Sequence, residues 1–214
     1  MQYLVIILVL GVNFWISWSN ATQVGRYWSE SKEIGGGFRK TVVCGYVMAI
    51  AGFTMVYCYL LLILAPFFFS LLDYSPRVIN EVRSLGFDLM YVMVGAAVIL
   101  SGFRLWAHSL KRAWEERSFA YMAEAVWNTF AQIHNVVNYA RNAPSAAGRI
   151  LGAIFGGKKK SKSDKDSGII ALLAIVIVVL ALLGGYFTAD AIMKRADAEY
   201  DGFAESYKAH EATA

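Results

Sequence analysis

Charge-free runs alternate with crowded polar segments along this chain, and the runs set its architecture. No charged residue lies between Lys40 and Asp73, between Asp88 and Arg104, or between Asp166 and Asp190. A further run, MQYLVIILVLGVNFWISW, stands at the start, with no Lys or Arg before Arg26. About 20 apolar residues in a helix cross the hydrocarbon of a bilayer. The runs therefore predict four membrane spans, at residues 1–18, 41–70, 87–107 and 167–189. The first is short and is also readable as a cleaved signal. It lacks the basic n-region of a signal and is taken as a retained span. The second exceeds the need, so tilt or a kink absorbs the excess. Pro66, followed by Phe67, Phe68 and Phe69, predicts a bend of its far end into the interface. The third is extended past Arg104 by Leu105, Trp106 and Ala107, the arginine snorkelling outward. The fourth, centred on IIALLAIVIVVLALL, is the strongest of the set.

A different pattern fills the stretch between the third and fourth spans. Neither Gly nor Pro occurs from Phe103 to Ala143. That predicts one continuous helix about 60 Å long. Apolar residues recur at Phe119, Met122, Val126, Phe130, Ile133 and Val137 in steps of three and four, a heptad-like stripe. Something must cover such a stripe. It packs within the protein, lies on the bilayer surface, or pairs with another copy or another protein. Trp114, Tyr121, Trp127 and Tyr139 widen it. Pro144 is predicted to end the helix and Ser145 to cap a short interfacial one. Residues 108–157 thus read as a cytoplasmic amphipathic arm, and 158–166 as a Lys-rich linker. Lys158, Lys159, Lys160 and Lys162 there anchor the fourth span or meet anionic lipid headgroups. The fold class expected is an all-α integral membrane protein. It has four transmembrane helices and a long amphipathic cytoplasmic helical segment between the third and fourth.

Composition agrees with this pattern. Hydrophobic residues make up 57% of the 214 and charged ones 17%, where soluble domains carry about 25%. Fifteen of the 20 basic residues fall in 19–40 or, counting Arg104 at the edge of span three, between spans three and four. Basic loops stay cytoplasmic, so the expected topology puts both termini outside, along with loop 71–86 and the acidic tail 190–214. The net charge of +4 follows from that topology and predicts no nucleic-acid partner. Cys44 and Cys58 would lie about 21 Å apart on one helix, too far to bridge, and read as buried apolar residues.

Candidate chemistry is sparse. Gly35-Gly36-Gly37 lacks the Gly-Lys-Ser/Thr ending of a phosphate loop and predicts a turn before span two. His108, His134 and His210 are scattered without ligand spacing. No Gly-x-Ser-x-Gly elbow occurs. The span centres lack ionisable side chains, which argues against ion-coupled transport. Asp88 is expected to be solvated at a span end. The sequon at Asn20 sits on the side predicted cytoplasmic, where glycosylation does not occur. No catalytic, metal or cofactor site is expected. Small residues carry more information. Gly45, Ala49 and Gly52 in span two, and Ala97 and Ser101 in span three, form small-x-x-x-small sets that let helices approach closely.

The stretches NFWISWSNATQVGRYWSESKEIGGGFRKTVVCGYVMAIAGFTMVY and WNTFAQIHNVVNYARNAPSA resemble small polytopic membrane proteins of bacteriophages or mobile elements. They cover under half the chain. The resemblance implies a prokaryotic inner membrane and a phage-related role. The function expected is non-enzymatic: assembly or interaction within a membrane complex. The partners expected are the lipid bilayer and a second copy or other membrane subunits. The alternative is a membrane-perturbing, pore-forming or exclusion protein.

Overall fold

Four of the helices grow out of the charge-free runs and overshoot them. In a computed structural model, residues 2–34, 36–155 and 164–212 are described. They form α1 (Gln2–Ile34), α2 (Gly36–Ser70), α3 (Pro76–Glu116), α4 (Phe119–Phe155) and α5 (Asp164–Glu211). The protein is all-α, and α1, α2, α3 and α5 are long and apolar enough to cross a membrane. The polar segments expected as loops are largely helical. Residues 19–34 continue α1, and 190–211 continue α5. At 1.5 Å per residue α5 is about 72 Å long.

Helices successive along the chain run antiparallel, so α1, α3 and α5 share one direction and α2 and α4 the other. α2 returns along α1, with Phe53 edge-on to Phe14 and Gly45 against Val24. α3 returns along α2, with Phe87 against Tyr59. α5 lies antiparallel to α2, where Tyr57 and Thr188 share a hydrogen bond of 2.9 Å. Two clusters fill the interior. One joins Cys58, Leu62, Phe69, Val82, Ala174 and Ala181 at one end of the bundle. The other joins Ala21, Ala49, Phe53, Ala189 and Ile192 toward the opposite end.

The turns are chemically specified. Asp73 closes α2 with φ 56°. Tyr74 N–H donates to the Phe69 carbonyl and Asp73 N–H to that of Ser70. This is the Schellman pattern, and its usual hydrophobic contact is present, the Phe69 and Tyr74 rings lying 5.7 Å apart. Ser75 then caps α3, its Oγ accepting from Val78 N–H, with Pro76 where its missing N–H is harmless.

Three local expectations differ from the structure. The single helix foreseen across Phe103–Ala143 breaks at Arg117 and Ser118. Arg117 adopts the left-handed conformation (φ 47°, ψ 28°) without being glycine, and α4 folds back onto α3. Pro144 does not end α4, which continues to Phe155. Proline costs a helix one hydrogen bond, and packing on either side outweighs that loss here. Finally, 19–34 and the start of the 190–214 tail, expected on opposite sides of a membrane, lie side by side. Ser29 Oγ donates to the carboxylates of Asp197 and Asp201, and Gly25 sits against Met193 and Ala196.

Candidate functional site

The α3–α4 hairpin holds the densest polar network of the described residues, and it is built on a seven-residue spacing. Gly95 and Gly102 on α3 face Tyr139 and Gln132 on α4. A Cβ at Gly95 would come 2.6 Å from the Tyr139 ring, so only glycine admits the ring at this distance. Each large side chain then reaches a main-chain oxygen one turn back along α3. Tyr139 Oη donates to the Val92 carbonyl at 3.2 Å. Gln132 Nε2 donates to the Ile99 carbonyl at 3.0 Å. Ser109 and Asp88 on α3, and Ala125 and Ala146 on α4, continue the same spacing and are buried. A strict seven-residue seam is the geometry of supercoiled helix pairs.

Further bonds close the hairpin along its length. Trp106 Nε1 donates to Thr129 Oγ1 at 2.7 Å. Tyr91 Oη donates to the Asn138 carbonyl at 2.8 Å, and Asn142 Nδ2 donates to Tyr91 Oη at 3.4 Å. Near the turn, Arg112 donates to Tyr121 Oη at 2.7 Å with its guanidinium over the ring. At the far end Arg149 grips Asp88 with two bonds of 2.6 Å each. Asp88, expected to be solvated, is buried in this fork, the bidentate form that most strongly satisfies a carboxylate. Its partner lies 61 residues along the chain.

The seam uses the face of α4 opposite the stripe singled out in the sequence. Phe119, Met122, Val126, Phe130, Ile133 and Val137 point outward, each more than half exposed. α4 is thus inverted relative to a soluble amphipathic helix: Gln132 and Tyr139 face α3, and its apolar stripe faces away. Packing of the stripe within the chain, one of three expectations, does not occur. The amides Gln132, Asn135, Asn138 and Asn142 follow steps of three and four, yet only Gln132 of them is buried on the inner face, and Asn138 and Asn142 are exposed.

The small residues meet several partners. Gly45 and Gly52 lie against Val24 and Ser17 of α1, and Ala49 is fully buried beside α1 and α5. Ala97 lines a groove of about 210 Å³ with Ile50, Thr54, Met93 and Leu182. Ser101 is buried on α3. Two close approaches to backbone were not foreseen as such: a Cβ at Gly25 of α1 would come 2.6 Å from the Met193 carbonyl oxygen, and one at Gly185 of α5 2.7 Å from Thr54 N. A second groove, of about 240 Å³, lies between Met55 of α2 and Asn135 and Asn138 of α4, with α3 as its floor. Lys158, Lys159, Lys160 and Lys162 lie outside the described residues. Among the described residues no cluster of His, Cys, Asp and Glu could hold a metal ion.

These features define a helical bundle with four membrane-competent helices and one inverted amphipathic helix. The chain matches no family model, and no curated protein or solved structure is significantly similar to it.

Proposed function

We propose that this chain is a non-enzymatic multi-pass membrane protein that acts by assembly or interaction within a membrane complex. The observation that carries the reading is the inverted distribution of polarity. Hydrogen-bonding side chains and small residues are turned inward, while large apolar side chains cover the outside. On α1, Leu4, Ile7, Leu8 and Trp15 are each more than 60% exposed. Soluble bundles bury such residues, and apolar patches of this extent mark membrane or protein contact. The glycines Gly45, Gly52, Gly95, Gly102 and Gly185 are occupied by neighbours within the chain, and the outer face of α1 is one of the apolar surfaces left for other subunits. The resemblance noted in the sequence supports a prokaryotic inner membrane as the setting.

Extraction in a mild detergent, followed by crosslinking and native mass measurement, tests this reading. A discrete oligomer or a stoichiometric complex with other membrane proteins is the expected result. A monomer without partners, with dye leakage from vesicles carrying it, would replace assembly with the pore-forming alternative.

A further inference from the structure

α4 is the one helix of the five that hydropathy does not mark as a span, yet it lies beside one. The contacts Gln132–Ile99, Tyr139–Val92 and Arg149–Asp88 set the register. They bring residues 131–145 of α4 level with Leu89–Phe103, the charge-free centre of α3. α3 cannot pass through hydrocarbon while α4, held against it by these bonds, stays in water.

The side chains of α4 suit that depth. No Asp, Glu, Lys or Arg occurs between Glu124 and Arg141. Phe130, Ile133 and Val137 of the outward stripe fall level with Arg104, Ser101 and Ala97, the C-terminal part of the α3 span. Gln132 and Tyr139 are turned inward onto α3 carbonyls, and the exposed Asn142 donates to Tyr91 Oη of α3, so that much of the polar cost of hydrocarbon is met by hydrogen bonds. His134, exposed, is hydrogen-bonded to Asn138 at 2.7 Å. Arg141, also exposed, snorkels toward the nearer headgroups. Aromatic side chains mark two rims. Trp114 and Trp127 stand exposed near the α3–α4 turn, and Phe155, Phe67 and Phe68 stand exposed at the other end. In the α3–α4 register, Trp127 and Phe155 are separated by 28 residues, about 42 Å along the helix. A bilayer with its headgroup regions measures about 40–45 Å, and aromatic belts sit at its two interfaces.

We infer that α4 is a fifth bilayer crossing and that the occupant of the Phe130–Ile133–Val137 stripe is lipid acyl chain. The α3–α4 turn and the end of α4 then lie on opposite sides of the membrane. So do the N- and C-terminal ends of the described chain, against the expected placement of both outside. The basic segment between spans three and four is also divided. Arg112 and Arg117 go to one side, while Arg149 goes to the other. The count that oriented four spans does not orient five.

This inference rests on the reading of the chain as a membrane protein, and one experiment separates the two. Cys44 and Cys58 are replaced by Ala in the full-length protein. Single cysteines are then introduced as Phe130→Cys, Ile133→Cys, Val137→Cys, Ser118→Cys and Gly152→Cys. Membrane retention after carbonate washing is checked first; release overturns the membrane reading itself. With retained protein in vesicles, spin labels at 130, 133 and 137 are expected to be relaxed by oxygen and not by a water-soluble nickel chelate. Access by nickel, or exclusion of both reagents as beneath a protein partner, would overturn the inference while leaving the membrane reading intact. In intact cells, an impermeant maleimide is expected to label only one of positions 118 and 152, and the other after permeabilisation. Labelling of both from one side would likewise overturn it.

Discussion

Gly184 and Gly185 are adjacent on α5 and differ sharply in what they face, which makes a controlled test of the packing. A Cβ at Gly185 would lie 2.5 Å from Thr54 Oγ1, 2.7 Å from Thr54 N and 3.0 Å from the Ile50 carbonyl oxygen. Two of these atoms are α2 backbone, and the hydroxyl is itself bonded to the Ile50 carbonyl at 2.8 Å. Comfortable heavy-atom contact is about 3.5 Å, so Gly185→Ala forces α2 and α5 apart by roughly 0.7 Å. A gap of that size forfeits a quarter to a half of each dispersion contact. The neighbouring positions Ala49, Phe53, Cys58, Ala181 and Ala189 have no exposed surface left with which to compensate. Overpacking of this kind costs about 1–3 kcal/mol, against about 1 kcal/mol of helix propensity gained on leaving glycine. At Gly184 the nearest atom is Tyr57 Cδ2 at 3.3 Å, part of a side chain that can yield. Gly184→Ala gains the same propensity at little steric cost. Reversible unfolding in mixed micelles, followed by far-UV circular dichroism, should place Gly184→Ala at or above the parent. Gly185→Ala should fall about 2 kcal/mol below Gly184→Ala. Equal stability of the two variants would refute the close α2–α5 approach.

Three other outcomes follow from the hairpin. Gln132→Leu keeps the volume and removes the donor to Ile99; the same unfolding titration should show a loss of about 0.6–1.7 kcal/mol, the span measured for hydrogen bonds between membrane helices. Asp88→Asn and Arg149→Gln should each destabilise the protein, and the double variant by less than the two together, because both act on one ion pair. A strictly additive cycle would show that the pair does not form. Arg117→Gly relieves a left-handed residue of its Cβ conflict and should stabilise the fold by about 1 kcal/mol, read as a rise in unfolding midpoint.

Much of the bundle was legible because charge is excluded from hydrocarbon. The gap from Lys40 to Asp73 and the gap from Asp166 to Asp190 each mark a membrane-competent helix without help from any neighbour. What was not legible depends on tertiary partners. The turn at Arg117 has no glycine or proline to announce it, since the hairpin bonds on either side hold an arginine in a conformation it does not prefer. Pro144 reads as a stop only if the helix beyond it has nothing to pack on, and Ala146 and Ile150 do. The period of the Phe119–Val137 stripe was readable, but a period does not say which face is inside. In water the apolar face turns in; α4 turns it out, and the residues that meet α3 are Ala125, Gln132, Tyr139 and Ala146. The sides assigned to 19–40 and to the tail depended on counting four crossings, and the contact of Ser29 with Asp197 and Asp201 does not agree with that count.

The hairpin bonds also bear on how such a chain is made. A segment whose amides find their acceptors only on a neighbouring helix gains little by leaving the translocation channel alone. Until α3 stands beside it, Gln132 and Tyr139 have no carbonyl to reach, and the Arg149 guanidinium has no carboxylate. On the proposed five-crossing arrangement, α4 enters the bilayer as the second arm of a preassembled pair, after α3 and before α5 closes over Ile150 and Ala153. Biogenesis on this scheme is ordered by hydrogen bonding as well as by hydropathy, and a chain cut between α3 and α4 would leave Asp88 stranded at the membrane edge as a signal for disposal.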